Sequence, residues 1–244
     1  VKSRGLGDVY KRQVINIITG VSRKNMQAIF FGSIGTLVET SEIQRKAFNT
    51  AFKEFGLNWY WNIGNYINMI QKPGGILRIK EYSKLKLKDD EVKKIYDLKI
   101  KYFREYSTNA VKPREGVLDV INYANINNIK LGFITTTTKE TIDIIKDSLS
   151  RYIDFNNFDL ITYEKDCSKK KPNPDIYNFA INNLNVTKNN SITIEDTPVS
   201  YTSSKKANIK TILFPGEYSV NKNNILPSYK IFEEIKKFFE MKKI

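Results

Sequence analysis

Beyond Pro113, short apolar runs alternate with longer segments in which apolar residues recur at helical spacing, and one further apolar run lies near the start of the chain. The predicted strands cover residues 27–31, 130–134, 160–162, 191–194 and 210–214, and the predicted helices cover residues 116–125, 139–149, 175–184 and 200–207. Strands that alternate with helices form a parallel sheet with helices on both faces. The sequence therefore predicts an α/β fold. Because ligands of such sheets bind at the carboxyl ends of the strands, residues that follow a strand are the candidate site.

A second group of helices is predicted between the first strand and Pro113. It covers residues 41–55, 62–71, 75–82 and 89–105. We expect residues 41–108 to form an inserted α-helical cap domain, and residues 26–40 and 109–244 to form the core domain. Five apolar residues spaced helically between Ile231 and Phe239 indicate a last amphipathic helix that packs on the core.

The first 25 residues are interpreted as foreign to the native chain. Residues 3–13 are identical to the in-frame translation of a transposon adapter used in sequencing libraries, and residues 14–25 are interpreted as translated upstream sequence. An N-terminal extension or targeting peptide is the alternative. This segment holds six basic residues and one acid, so +9 of the net charge of +14 belongs to the remainder. There the lysines are interleaved with acids and no nucleic-acid-binding motif occurs, so we expect no nucleic-acid partner.

Residue types that are rare or missing exclude several classes of active site and of partner. The chain has no histidine, which excludes histidine triads and histidine-ligated zinc sites. Cys167 is the single cysteine, so no internal disulfide forms and a cytoplasmic location is expected. No apolar run reaches the 18 residues of a membrane span, so no membrane partner is expected.

Four segments at predicted strand ends carry a family resemblance. They are the turn Gly32–Thr36, Thr135 at the end of an apolar strand, Lys171 in the run Lys-Pro-Asn-Pro-Asp, and the acidic pair Glu195 and Asp196. In this order they resemble the motifs of the haloacid dehalogenase superfamily, whose phosphatases and phosphomutases attack phosphate with the first aspartate of a DxDGT turn. The resemblance implies a Rossmann-like parallel sheet core with an inserted cap.

The resemblance also implies roles for the residues that are present. Thr36, Thr135 and Lys171 would bind phosphate through two hydroxyls and an ammonium group. Asp196 would coordinate Mg²⁺ directly, and Glu195 would coordinate it or orient the site. Carboxylate oxygens are ligands that Mg²⁺ prefers.

Two residues depart from the family pattern at its chemical centre. Gly32 stands where the nucleophilic aspartate is expected, and Ile34 stands where the second aspartate, the acid that protonates the leaving oxygen, is expected. Glycine and isoleucine can neither attack phosphate nor transfer a proton. One magnesium ligand is also lost, so weak Mg²⁺ binding is expected. Strand alternation should aim Ser33 away from the pocket, which makes it an unsuitable replacement.

The predicted cap is similar to that of the sugar-phosphate members, especially the xylulose-1,5-bisphosphate phosphatase group and β-phosphoglucomutase. Glu39 lies in the matching linker, Gln44 replaces the group's histidine, and Ile76 replaces the lysine of its glycine-glycine-lysine turn. Arg78 follows this turn. Two interpretations of it stay open, a bidentate grip on a distal phosphate and a solvent-facing helix residue.

These observations lead to one main hypothesis and two alternatives. The main one is a catalytically impaired protein that binds a phosphorylated small molecule, a sugar phosphate, under the cap. The first alternative is an active phosphatase or hydrolase in which Glu39 or Glu195 serves as a substitute carboxylate. The second is a protein-interaction module whose pocket has no ligand.

Overall fold

The computed structural model describes residues 26–32, 34–72 and 74–218. The predicted foreign segment 1–25, the orientation of Ser33 and the predicted helix near residues 231–239 lie outside the described residues.

A five-stranded parallel sheet forms the core. In chain order the strands are β1 (Ala28–Phe31), β2 (Lys130–Phe133), β3 (Leu160–Ile161), β4 (Ser191–Glu195) and β5 (Lys210–Leu213), and in the sheet their order is β3-β2-β1-β4-β5. β1 lies in the centre and pairs in parallel with both β2 and β4. The strand order reverses beside β1, and such a switch point opens a crevice at the carboxyl ends of the strands. The predicted α/β fold class is confirmed.

Helices cover both faces of this sheet. The described α-helices are α1 (Ile34–Leu37), α2 (Ser41–Glu54), α3 (Ile63–Met69), α4 (Gly75–Tyr82), α5 (Asp89–Ser107), α6 (Val117–Ile126), α7 (Lys139–Leu149), α8 (Asp175–Asn183) and α9 (Pro198–Lys206). Successive side chains of a strand point to opposite faces. Ile29 and Phe31 accordingly join one apolar cluster with α6 and α7, whereas Ala28 and Phe30 join another with α8.

Helices α2 to α5 form what we call the helical layer. α2 packs along α5, and an aromatic group between the helices includes Phe48, Phe52, Trp61 and Tyr66, with the Phe48 and Trp61 ring centroids 4.7 Å apart. Burial of rings of this size stabilises a layer of short helices that would be marginal alone. Among the described helices, none combines the length and apolar character needed to cross a bilayer.

Candidate active site

A cavity of about 270 Å³ lies between the carboxyl ends of the strands and the helical layer. The segments that follow β1, β2 and β4 supply Gly35, Thr135 and Asp196 to its wall. The helical layer supplies Gln44 and Arg78 from the opposite side. The predicted strand-end residues and the predicted helical-layer residues therefore meet at one cavity.

The turn after β1 is closed tightly against β4. The Gly32 amide donates to the Ile194 carbonyl at 2.9 Å. A Cβ atom built on Gly32 would overlap the carboxylate of Glu195 and the hydroxyl of Tyr177. Ile34 presents an apolar side chain to the cavity two residues later. Neither position offers a group that attacks phosphate or protonates a leaving oxygen.

Lys171 lies at the floor of the cavity and is almost completely buried, at 5% exposure. Its ammonium group donates to Glu195 Oε1 at 2.9 Å, to the Tyr177 hydroxyl at 3.2 Å and to the Ile134 carbonyl at 3.2 Å. It also contacts the Gly32 carbonyl. The Tyr177 hydroxyl donates to the same Glu195 oxygen. The predicted phosphate lysine is thus held in a buried ion pair.

The two acidic residues after β4 have different surroundings. Glu195 has no exposed surface and lies behind the cavity wall, whereas Asp196 lines the cavity and packs against Gly35. Among residues 26–218, apart from 33 and 73, no three acidic, cysteine or histidine side chains come together as a metal-binding group. The carboxylate of Glu195 is engaged by Lys171 and Tyr177, so the pair does not fit a magnesium site to which both acids contribute.

The two predicted threonines, Thr36 and Thr135, lie in different surroundings. Thr135 lines the cavity, and its hydroxyl accepts a hydrogen bond from the Thr137 amide at 3.2 Å. Thr36 does not line it: the side chain is fully buried and its hydroxyl faces the Ile194 carbonyl at 3.4 Å. The structure therefore does not bring Thr36 to the cavity, because α1 turns that side chain toward β4. The loop Thr136 to Thr138 adds hydroxyl-bearing residues that the sequence prediction missed.

Residues from the helical layer and its linker complete the wall. Glu39 lines the cavity, and its carboxylate accepts from the backbone amides of Ser41 and Glu217, both at 2.9 Å. The Arg78 guanidinium donates to the Met69 carbonyl at 3.2 Å and to the Lys72 carbonyl at 3.1 Å. Burial lowers the pKa of Arg78 from its ordinary value. The guanidinium thus lies in the cavity wall rather than pointing to solvent.

Lys99 on α5 is a site residue that the sequence prediction missed. It is 2% exposed, lines the cavity, and donates to Gln44 Oε1 at 3.1 Å. Its ammonium lies 4.6 Å from the ring centroid of Phe103 and 5.3 Å from that of Phe48. Burial, with a smaller contribution from the Arg78 charge, lowers the pKa of Lys99 to about 7. The available signal was its place between Ile95 and Phe103 on an apolar stripe.

The chain after β5 connects the core with the helical layer. Arg114 donates to the carbonyls of Gly35 at 2.6 Å and of Pro215 at 2.8 Å. The Tyr218 hydroxyl donates to Glu42 in α2. Arg45 binds the same carboxylate with two nitrogens, at 2.7 and 2.8 Å, and lowers the pKa of Glu42 to about 2. Both sides of the cavity are therefore tied to the segment that follows the sheet.

Comparison with known proteins agrees with this architecture. A family model described as haloacid dehalogenase-like hydrolase matches residues 35–214. The protein CbbY of Rhodobacter capsulatus is 29% identical over 198 residues, which are 80% of this chain and 87% of that protein. The crystal structure of CbbY from Rhodobacter sphaeroides in complex with phosphate has a TM-score of 0.74 at 27% identity and covers 83% of this chain and 91% of its own. A CbbY variant from the same organism in complex with xylulose-(1,5)bisphosphate has a TM-score of 0.73 at 28% identity, with coverages of 80% and 88%.

Proposed function

Because the chain belongs to the haloacid dehalogenase-like hydrolase family, and is a CbbY-like member of its sugar-phosphate phosphatases, we propose that it binds a phosphorylated metabolite, a sugar phosphate, in the cavity. In this proposal residues 41–108 act as the cap. The resemblance inferred from the four sequence motifs is thereby confirmed at the level of the family. The related CbbY structures hold phosphate and a sugar bisphosphate, which supports the same ligand class here.

The observation that carries the proposal is the chemistry of the cavity wall. Its charged residues are Arg78, Lys99, Lys170 and Lys171 with Glu39, Glu164 and Asp196. Four of these residues are basic, of which Arg78 and Lys170 carry a positive charge at neutral pH without a buried counter-ion, and five threonines from Thr135 to Thr141 add hydroxyl groups. Cations suit a phosphate and hydroxyl groups suit the sugar, so the wall matches both parts of such a ligand.

We further propose that catalysis is impaired. Gly32 offers no nucleophile and Ile34 offers no acid. Removal of a nucleophile from a catalytic unit costs on the order of 10⁴–10⁶ in turnover. Phosphatases of this family use Mg²⁺, but Glu195 is committed to Lys171, so we expect weak magnesium binding and derive no catalytic step from it.

An active hydrolase is a second candidate, because both carboxylates that the sequence offers as substitutes, Glu39 and Glu195, lie near the cavity. Glu39 is in its wall, and Glu195 contacts the phosphate lysine at 2.9 Å. Either would act as a base that accepts a proton from a water molecule as that water attacks phosphorus. Loss of turnover in Glu39→Gln or Glu195→Gln, with folding retained, would identify the base.

A third candidate, a protein-interaction module, is favoured by apolar side chains exposed on and beside the helical layer. Ile63 is 52% exposed, Leu77 48% and Leu85 76%. A module of this kind would associate with a protein partner and would show no response to phosphate esters. The ligand panel below therefore separates it from the first two candidates.

Two measurements on the purified protein test the proposal. The first is the melting temperature across a panel of sugar phosphates and sugar bisphosphates, with the unphosphorylated sugars as controls. The second is phosphate release from the same panel with Mg²⁺, compared with Asp196→Asn. A rise in melting temperature without release above that control is expected. Release that Asp196→Asn abolishes would instead establish an active metal-dependent phosphatase, and no thermal shift with any ester would overturn the binding role.

A further inference from the structure

The carboxylate of Glu195 occupies the space beside Gly32. A Cβ at residue 32 would overlap the Glu195 carboxylate and the Tyr177 hydroxyl. The present position of Glu195 and any side chain larger than hydrogen at residue 32 therefore exclude each other. Glu195 can therefore take this position only because residue 32 has no side chain.

The hydrogen bonds of Lys171 show what this carboxylate does. An ammonium group has three N–H donors and no acceptor. Lys171 has four acceptors within reach: Glu195, the Tyr177 hydroxyl and the carbonyls of Gly32 and Ile134. All its donors are satisfied inside the protein, and its charge is balanced by a carboxylate with no exposed surface. A phosphate oxygen reaches this ammonium only if one of these contacts is released.

We propose that Glu195 is an internal counter-ion that occupies the anion site of Lys171, so that a ligand phosphate competes with the Glu195 carboxylate for the lysine. This inference rests on the proposed function, since it concerns how the same cavity takes up phosphate. It assigns Glu195 a role in closing the site in place of the role of magnesium ligand. Exchange of the carboxylate for a phosphate then requires release of the contact between Lys171 and Glu195.

The test is the affinity for inorganic phosphate, measured by calorimetry on wild type and Glu195→Gln. Glutamine keeps the size of the side chain and removes its charge. Because a hydrogen bond to a charged group contributes about 1.5–3 kcal/mol, or roughly 10-fold to 150-fold, the dissociation constant for phosphate should fall at least about tenfold. This gain in phosphate affinity should disappear when Glu195→Gln is combined with Lys171→Met, because it comes from the Lys171 ammonium that Glu195 no longer neutralises.

Glu164→Gln is the matched control. Glu164 also lines the cavity and pairs with a neighbouring lysine, Lys170, at 2.8 Å. Glu164→Gln removes one negative charge near the cavity, as Glu195→Gln does, but it leaves Lys171 paired with Glu195. Phosphate affinity that rises equally in Glu164→Gln and Glu195→Gln, or in neither, would overturn the inference.

A double-mutant cycle keeps the inference falsifiable if Glu195→Gln does not fold. Gly32→Ala should lower the melting temperature of the wild type, because the new methyl overlaps the Glu195 carboxylate. In a Glu195→Ala background the same change should cost less, because only the overlap with the Tyr177 hydroxyl then remains. Equal costs in both backgrounds would contradict mutual exclusion.

The two proposals fail in distinguishable ways. Sugar phosphates that stabilise the wild type, together with unchanged phosphate affinity in Glu195→Gln, overturn the counter-ion role alone. Tighter binding of inorganic phosphate in Glu195→Gln, together with no sugar-phosphate response in any variant, supports the counter-ion role and overturns the proposed ligand class.

Discussion

Replacement of Lys99 by methionine should stabilise the protein at neutral pH and should change how its stability depends on pH. Lys99 is 2% exposed, and its pKa of about 7 lies well below the ordinary 10.5. Methionine has a similar length and no charge, so it fills nearly the same space without the cost of burying an ammonium ion.

The size of the effect follows from the two pKa values. Between pH 7 and pH 10.5 the unfolded chain binds the lysine proton and the folded protein does not, so stability rises with pH in this window. The penalty from this lysine is roughly 4 kcal/mol at pH 7 and roughly 2 kcal/mol at pH 9. Methionine loses the hydrogen bond to Gln44, which offsets about 1 kcal/mol, whereas the attraction of the Phe48 and Phe103 rings acts only on the charged ammonium. Lys99→Met should therefore gain about 3 kcal/mol at pH 7 and about 1 kcal/mol at pH 9.

Urea unfolding followed by tryptophan fluorescence measures the free energy of unfolding at pH 7 and at pH 9, since Trp61 is buried in the helical layer. Lys94→Met is the control, because Lys94 lies on the same helix with its side chain 68% exposed; it should change stability by less than about 0.5 kcal/mol at either pH. Curves of stability against pH that run parallel for wild type and Lys99→Met would refute the reasoning.

Three further changes test other parts of the structure. Gly32→Asp should destabilise by about 2–4 kcal/mol in thermal unfolding, because it overlaps Glu195 and adds a second buried negative charge; an unchanged melting temperature would contradict this. Arg114→Met should cost about 2–4 kcal/mol, since three carbonyl acceptors lose their donor, and a loss below 1 kcal/mol by urea unfolding would count against it. Glu42→Gln should remove an acid-sensitive part of stability: the pKa of Glu42 is lowered from 4.5 to about 2, chiefly by Arg45, so its contribution is present above pH 4.5 and is lost as pH falls toward 2. Acid unfolding followed by circular dichroism should show a shallower loss for this variant, and identical profiles would contradict the assignment.

Most of the fold follows from spacing alone. The predicted helices at residues 75–82 and 139–149 agree with α4 and α7 at both ends, and the other predicted elements among the described residues differ from their predicted bounds by one or two residues. The short helix α1 was not predicted, because the sequence indicates only a turn there. These patterns are readable because the central strands β1 and β4 are buried on both faces and the longer helices bury one stripe. Helix α5 extends two residues beyond its prediction to Ser107, where the buried serine gives no apolar signal.

The site was predictable where a motif stands at a strand end and where the family resemblance covers the linker and the helical layer, as for Glu39, Gln44 and Arg78. Thr135, Lys171 and Asp196 reach the cavity as the sequence indicates, because parallel strands bring their carboxyl ends to one edge. Thr36 does not reach it, since the direction of its side chain is set by the short helix α1 and not by spacing. Lys99 was missed because a lysine in a helix is normally solvated, and only tertiary packing buries this one.

The close approach of Glu195 to Gly32 also depends on tertiary packing, and it changes how the missing aspartate is understood. From sequence, Gly32 indicates only that the nucleophilic carboxylate expected at this position is missing. In the structure the space beside Gly32 holds a buried carboxylate paired with Lys171, so the centre keeps a negative charge at a different position in the chain. Gly32→Asp alone would place two carboxylates on one lysine and leave Ile34 without a proton to donate. A rebuilt phosphatase centre would therefore need coordinated changes at residues 32, 34 and 195.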